Sequence, residues 1–150
     1  MLKFFRKKAE ENAPSPARTG AEGEEAAAKL LRGMGWEILA RNWKSGRLEL
    51  DIVARERDTM VFVEVKTRAQ GGMQRPFEAL TPVKKSHLQR AAQLWLAEHD
   101  AWGMSCRFDL VCVTAAQGTY QTELIQNVIE YAESGAGHAL GGGHSPWQPW

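Results

Sequence analysis

Leu48-Glu-Leu-Asp51-Ile-Val-Ala54, then Arg55-Glu-Arg-Asp-Thr59, then Met60-Val-Phe-Val-Glu64-Val-Lys66-Thr67 is the stretch on which the fold turns. Both apolar arms alternate in character, and side chains along a strand alternate between the two faces of a sheet. Strict alternation puts Glu49, Asp51 and Val53 on one face of the first arm, with Leu48, Leu50, Ile52 and Ala54 on the other. On the second arm Phe62, Glu64 and Lys66 share a face, opposite Val61, Val63, Val65 and Thr67. Five linking residues are too few for a crossover, so the arms pair antiparallel as a hairpin. A turn centred between Arg57 and Asp58 sets Asp51 opposite Glu64 and Glu49 opposite Lys66, with cross-strand Cβ atoms about 5 Å apart.

Carboxylates crowded in this way need a reason. Val61 to Val65 is apolar enough for a buried strand, where an ionised group is seldom left unpaired. Neighbouring carboxylates raise one another's pKa, and a divalent cation relieves them. Asp51 and Glu64 are therefore candidate metal ligands for a hard cation, Mg²⁺ or Mn²⁺, of the kind that takes one or two carboxylates and keeps waters for a phosphate to displace. Lys66 points to the same side as Glu64, placed to orient a water or to stabilise a phosphorane. An ordinary surface hairpin with cross-strand ion pairs, such as Glu49 with Lys66, accounts for the same residues.

The surrounding chain places this hairpin in an α/β domain. A helix opens near Gly20 and runs to Met34, with Gly35 as its stop. Glu24, Ala27, Ala28 and Leu31 share one face of it. Glu24 is then either an acid in the first turn that suits the helix dipole or a carboxylate directed at a site. Glu22 and Glu25 point elsewhere, as solvated charges. Trp36 to Asn42 forms a first strand. Thr67 to Pro76 is a glycine-rich loop carrying Arg68 and Arg75. Thr81 and Pro82 are an N-cap and first helical residue, opening a helix to about His99 with Val83, Leu88, Ala91, Ala92, Trp95 and Leu96 as its apolar stripe. Lys84, Lys85, His87 and Arg90 make its first half cationic; such charges are usually a solvated face, but with Arg68 they also suit a phosphodiester backbone. Ser105 to Val113 and Tyr120 to Ile125 are further strands, and residues 126–132 read as a short helix.

The resulting division is a flexible basic arm (1–19), one domain (20–132) and a low-complexity tail (133–150), whose His138, His144, Trp147 and Trp150 are weak signals. With 150 residues, 43% apolar, a single core is expected. A net charge of +1 gives no global basic field. No stretch approaches the about 20 apolar residues of a membrane span, and Met1 to Lys8 lacks the apolar core of a secretory signal. Cys106 and Cys112 are too far apart to bridge and read as reduced core residues of a cytoplasmic protein.

Glu24, Asp51 and Glu64-Val65-Lys66 in this order resemble the PD-(D/E)XK nuclease superfamily, a restriction-endonuclease-like core with a central mixed β-sheet flanked by helices. The spacing and the helical glutamate are similar to archaeal Holliday-junction resolvases. More specifically, Gly20-x-x-Gly23-Glu24-x-x-Ala27-Ala28-x-x-Leu31, Gly35-Trp36-x-Ile38-Leu39-x-Arg41-Asn42-Trp43, Glu49-Leu50-Asp51, Val61-Phe62-Val63-Glu64-Val65-Lys66-Thr67-Arg68 and Arg107-Phe108-Asp109 resemble the YraN family of bacterial endonuclease-like proteins. Leu48 departs from the glycine usual there. The resemblance implies Glu24, Asp51, Glu64 and Lys66 as catalytic residues, Glu49 in support, and a Mg²⁺-dependent endonuclease acting on DNA, branched or recombination intermediates included. By analogy with resolvases it suggests a homodimer. A nuclease-fold module that binds nucleic acid or a protein without cutting is the alternative, since a fold does not guarantee chemistry.

Overall fold

The computed structural model describes residues 16–71 and 80–129. The N-terminal arm up to residue 15, Arg75 and the tail with its histidines and tryptophans lie outside the described residues. The elements run α1 (Pro16–Gly33), β1 (Glu37–Ser45), β2 (Leu48–Glu56), β3 (Thr59–Ala69), α2 (Pro82–Glu98), β4 (Ser105–Ala116) and β5 (Thr119–Ile125). They build one five-stranded sheet in sequence order, antiparallel except for β3 and β4. The parallel pair requires a crossover, and α2 provides it. The α/β fold with a central mixed sheet flanked by helices is the one expected.

Each helix covers one face. Ala27, Ala28 and Leu31 of α1 pack with Trp36, Ile52, Ala54, Val61, Val63, Val111 and Val113. Leu88, Ala91, Ala92, Trp95 and Leu96 of α2 pack with Leu50, Val53, Phe62, Phe108, Leu110 and Cys112. Phe62 stacks on Phe108 at 5.4 Å between centroids and meets Trp95 edge-on at 6.1 Å. Both cysteines are free thiols, and burial lifts Cys106 to about 11.

Several local expectations are corrected. The first helix starts at Pro16, so its first turn holds no acid, and Glu24 sits two turns inside the helix, too deep for a dipole-complementing role. Its stop is as read: Trp36 N–H bonds Leu31 O and Gly35 N–H bonds Arg32 O, with Gly35 at φ 85°, a Schellman motif. The first strand runs on to Ser45, and Thr67 and Arg68 belong to β3 rather than to a loop. Val83 is 65% exposed, because the α2 stripe begins only at Leu88. Thr81 does cap α2, accepting from Lys84 N–H at 3.2 Å, with Pro82 following. Residues 126–129 are not helical: the Asn127 amide donates to Asp109 Oδ1 and the Val128 amide to Phe108 O, holding this segment along β4.

Alternation along β2 fails at Asp51. Leu50 and Val53, three residues apart, both lie in the α2-side cluster, while Ile52 and Ala54 lie on the α1 side. The β1–β2 register itself is unbroken here, with Arg41 opposite Ile52 and Trp43 opposite Leu50, but the intervening Asn42 has φ 51°. Asparagine tolerates that left-handed conformation better than most residues. The irregularity turns Asp51 away from a simple face position and toward β3.

Candidate active site

The site forms where two strands part. β2 and β3 pair from Glu56 with Thr59 to Ile52 with Val63, the register expected for a turn between Arg57 and Asp58, and the pairing ends there. β3 continues alongside β4 to Ala69, and β2 continues alongside β1 to Leu48. One residue past the fork, Asp51 Oδ2 accepts the Val65 amide at 2.8 Å. A side chain thus takes a backbone donor that β2 has released, which a half-buried amide requires.

The gap between the strands lets groups from both layers meet. It opens into a cleft of about 500 Å³ lined by Thr19, Gly20, Glu24, Glu49, Asp51, Glu64, Val65, Lys66, Thr67 and Lys84. Glu24 reaches it from α1 because the helix lies hard against β3 at Gly23. A Cβ on Gly23 would stand 1.9 Å from Thr67 Oγ1. Only glycine permits that approach.

Glu64 is 3% exposed. Its Oε1 lies 3.3 Å from Lys66 Nζ and 3.2 Å from Lys84 Nζ. Its buried Oε2 has no hydrogen-bond partner. Burial and the Glu64 carboxylate push Asp51 up to about 7, Glu24 adding to the rise, while the Val65 amide and Lys84 oppose it. An orphaned buried carboxylate oxygen beside a reluctant second carboxylate fits a hard divalent cation. Among the described residues no group of three candidate ligands is gathered. Mg²⁺ does not require one, since it binds through one or two carboxylates and retains waters. The donor set fits the ion.

The cleft brings together Glu24, Asp51, Glu64, Lys66, Glu49 and Lys84. Glu49 differs from the expected pairing: it faces Lys44 across β1 at 3.7 Å, not Lys66, because β2 has left β3 by that point. Lys85 lies beside the cleft without lining it, and Arg68 stands on β3 opposite Thr114. Thr19 and Gly20 were missed, since the chain before Gly20 carries no periodicity to reveal a helix.

Two other features are separate. Between α1 and β5 lies a hollow of about 570 Å³ lined by Glu22, Glu25, Lys29 and Tyr120 among others. Its acids are engaged: Glu22 is half-buried and accepts from the Tyr120 hydroxyl, contrary to the solvated charge expected, and Glu25 pairs with Arg41 at 2.7 Å. At the hairpin end of the sheet, Arg107 bonds Glu56 at 2.6 Å and Asp109 at 3.0 Å and lies over the Trp36 ring at 5.0 Å. Asp109, 1% exposed, also accepts from the Asn127 amide. Arg107-Phe108-Asp109 is thereby an architectural clamp.

Fold and cleft define the class: an α/β protein whose forked sheet carries an acidic site with two lysines. Residues 23–113 match the uncharacterised protein family UPF0102. The chain belongs to this family, the YraN-type family whose blocks its sequence carries. A UPF0102 protein of Nitratidesulfovibrio vulgaris (strain DP4) is 52% identical over 132 residues, covering 88% of this chain and 95% of that protein. One from Lawsonia intracellularis is 40% identical over 87% of this chain and 96% of its own. Among solved structures, one titled "Crystal structure of SSO0001" aligns with TM-score 0.35 and 16% identity over 77% of this chain and 54% of that chain, too distant to bear on this protein. Among the described residues no helix is long and apolar enough to cross a membrane.

Proposed function

We propose that this protein is a divalent-cation-dependent nuclease of the PD-(D/E)XK kind that hydrolyses phosphodiester bonds in DNA. The observation that carries the reading is the fork itself, where Asp51 and the buried Glu64 converge with Lys66 and an unpartnered Glu64 oxygen. Asp51 and Glu64 are the residues to hold Mg²⁺ or Mn²⁺. A bound ion supplies Lewis-acid activation of the phosphoryl oxygen and of water. The chain's own residues do the remainder. Lys66 is partly open to solvent, so its ammonium can hold the attacking water or offset charge on the phosphorane. Glu24, from the opposite layer, anchors water at the second side of the cleft. Low dielectric around Glu64 strengthens each of these contacts.

The test is a cleavage assay with Mg²⁺ and with Mn²⁺ on duplex, single-stranded, flap and four-way-junction DNA. Wild type is compared with Lys66→Ala and Asp51→Asn purified in parallel. Metal-dependent cutting lost in both variants supports the reading and names the substrate shape. Cutting that persists in both variants sinks it. Binding of one DNA without any cutting would favour a docking module.

A further inference from the structure

Lys66 and Lys84 converge on one carboxylate oxygen from different supports. Lys66 comes from β3 itself, two residues beyond Glu64, and Lys84 from the first turn of α2. Lys84 is the more enclosed, its side chain 26% exposed against 39% for Lys66. An ionised Glu64 this buried requires a cation, and Lys84 supplies one from outside the sheet. The backbone of Lys84 is fixed by the Thr81 cap, but four flexible methylenes separate it from the ammonium. A dication between Asp51 and Glu64 would stand within a few ångströms of two ammonium groups in a half-buried setting, where like charges repel far more strongly than in water.

We propose that Lys84 is a resident counter-cation that occupies Glu64 in the metal-free protein and competes with a divalent ion for that carboxylate. The inference rests on the reading of Asp51 and Glu64 as metal ligands. Lys84 is on this account a positioning residue. It holds the Glu64 carboxylate in place while no metal is bound, and it swings toward the cleft mouth when metal arrives. The helix thereby sets the metal affinity of a site built on the strands. Lys66 is anchored beside Glu64 by the β3–β4 ladder opposite Cys112 and remains in the cleft.

Calorimetric titration of Mn²⁺ into the full chain tests this, with wild type, Lys84→Met, Lys84→Gln, Lys84→Arg and Asp51→Asn compared at one pH. Near-UV circular dichroism checks each variant for a native fold, and Lys84→Gln serves if Lys84→Met does not fold. Removing the charge should tighten Mn²⁺ binding about tenfold, within the usual range of coupling between two sites. Lys84→Arg should bind like wild type, and Asp51→Asn should give no binding heat. Equal or weaker binding in the charge-removed variants, with Asp51→Asn silent, overturns the role of Lys84 and leaves the metal site standing. Absence of Mn²⁺ heat in every protein overturns the metal-site reading, and this inference with it.

Discussion

Asp51 Oδ2 accepts the Val65 amide at 2.8 Å one residue beyond the last β2–β3 pair, so a carboxylate continues the ladder that the strand has abandoned. The bond favours the ionised acid, but burial and Glu64 outweigh it and raise Asp51 to about 7. The folded protein therefore holds this proton more tightly than the unfolded chain, whose reference value is 3.8. Stability of the metal-free protein should fall as pH rises from about 4 to about 7 and be flat in this respect outside that window. The full shift corresponds to at most about 4 kcal/mol, and relaxation of a partly accessible cleft will reduce it. Asp51→Asn should flatten the slope and raise the midpoint in urea at pH 8 by about 1–3 kcal/mol of stability. An unchanged slope in this variant would refute the assignment.

Gly23→Ala should be poorly tolerated. Its Cβ would collide with Thr67 Oγ1 at 1.9 Å and press on Thr67 Cβ at 3.0 Å. Overpacking of this kind costs about 1–3 kcal/mol. Adding Thr67→Ala should recover part of the loss, and the double-mutant cycle measures how much. Full additivity of the two substitutions would mean that the contact is not what holds α1 to β3.

Arg57 occupies the two-residue β2–β3 turn at φ 54°. A left-handed conformation is unfavourable for arginine by about 1 kcal/mol and natural for glycine or asparagine. Arg57→Gly should be stabilising by a few tenths to about 1 kcal/mol despite the freedom it adds to the unfolded chain. Loss of stability in chemical denaturation would count against the turn as described.

Asp109→Ala should be among the most damaging substitutions. It leaves Arg107 without a buried partner and strips the Asn127 amide of its acceptor. Removing one side of a buried pair typically costs about 3–5 kcal/mol. At a temperature where the variant is folded, its Mn²⁺ binding should match wild type: Asp109 is level with Val63 at the fork, but between Phe108 and Leu110 of the α2-side core it takes the α1 face, whereas Glu64 shares the α2 face with Phe62. Selective loss of metal binding would move Asp109 into the site.

Much of this was legible in the chain, and the failures have physical causes. The β3 pattern, the register set by Arg57 and Asp58, the Thr81 cap and the Gly35 stop are local, so periodicity and turn chemistry reveal them. Asp51 was found for its charge but misplaced in geometry, because strict alternation cannot foresee an irregular strand. Asn42, a residue at ease at positive φ, was the one local hint. The sequence marks Lys84 as a cation for a phosphodiester backbone or for a solvated face, and its approach to Glu64 depends on where α2 docks, which no helical periodicity specifies. The early start of α1 escaped for the opposite reason: Pro16 to Gly20 has no apolar pattern to mark it.

The bond between Asp51 and Val65 also turns one backbone amide into a reporter. The Val65 N–H is protected by a titrating carboxylate instead of by a neighbouring strand. Its proton resonance should therefore follow the ionisation of Asp51, moving through a midpoint near 7. When a cation claims that carboxylate, the same signal should shift or broaden before any substrate is added. A single peak in an ¹⁵N-labelled sample can then follow both proton and metal occupancy at the fork without a chemical label.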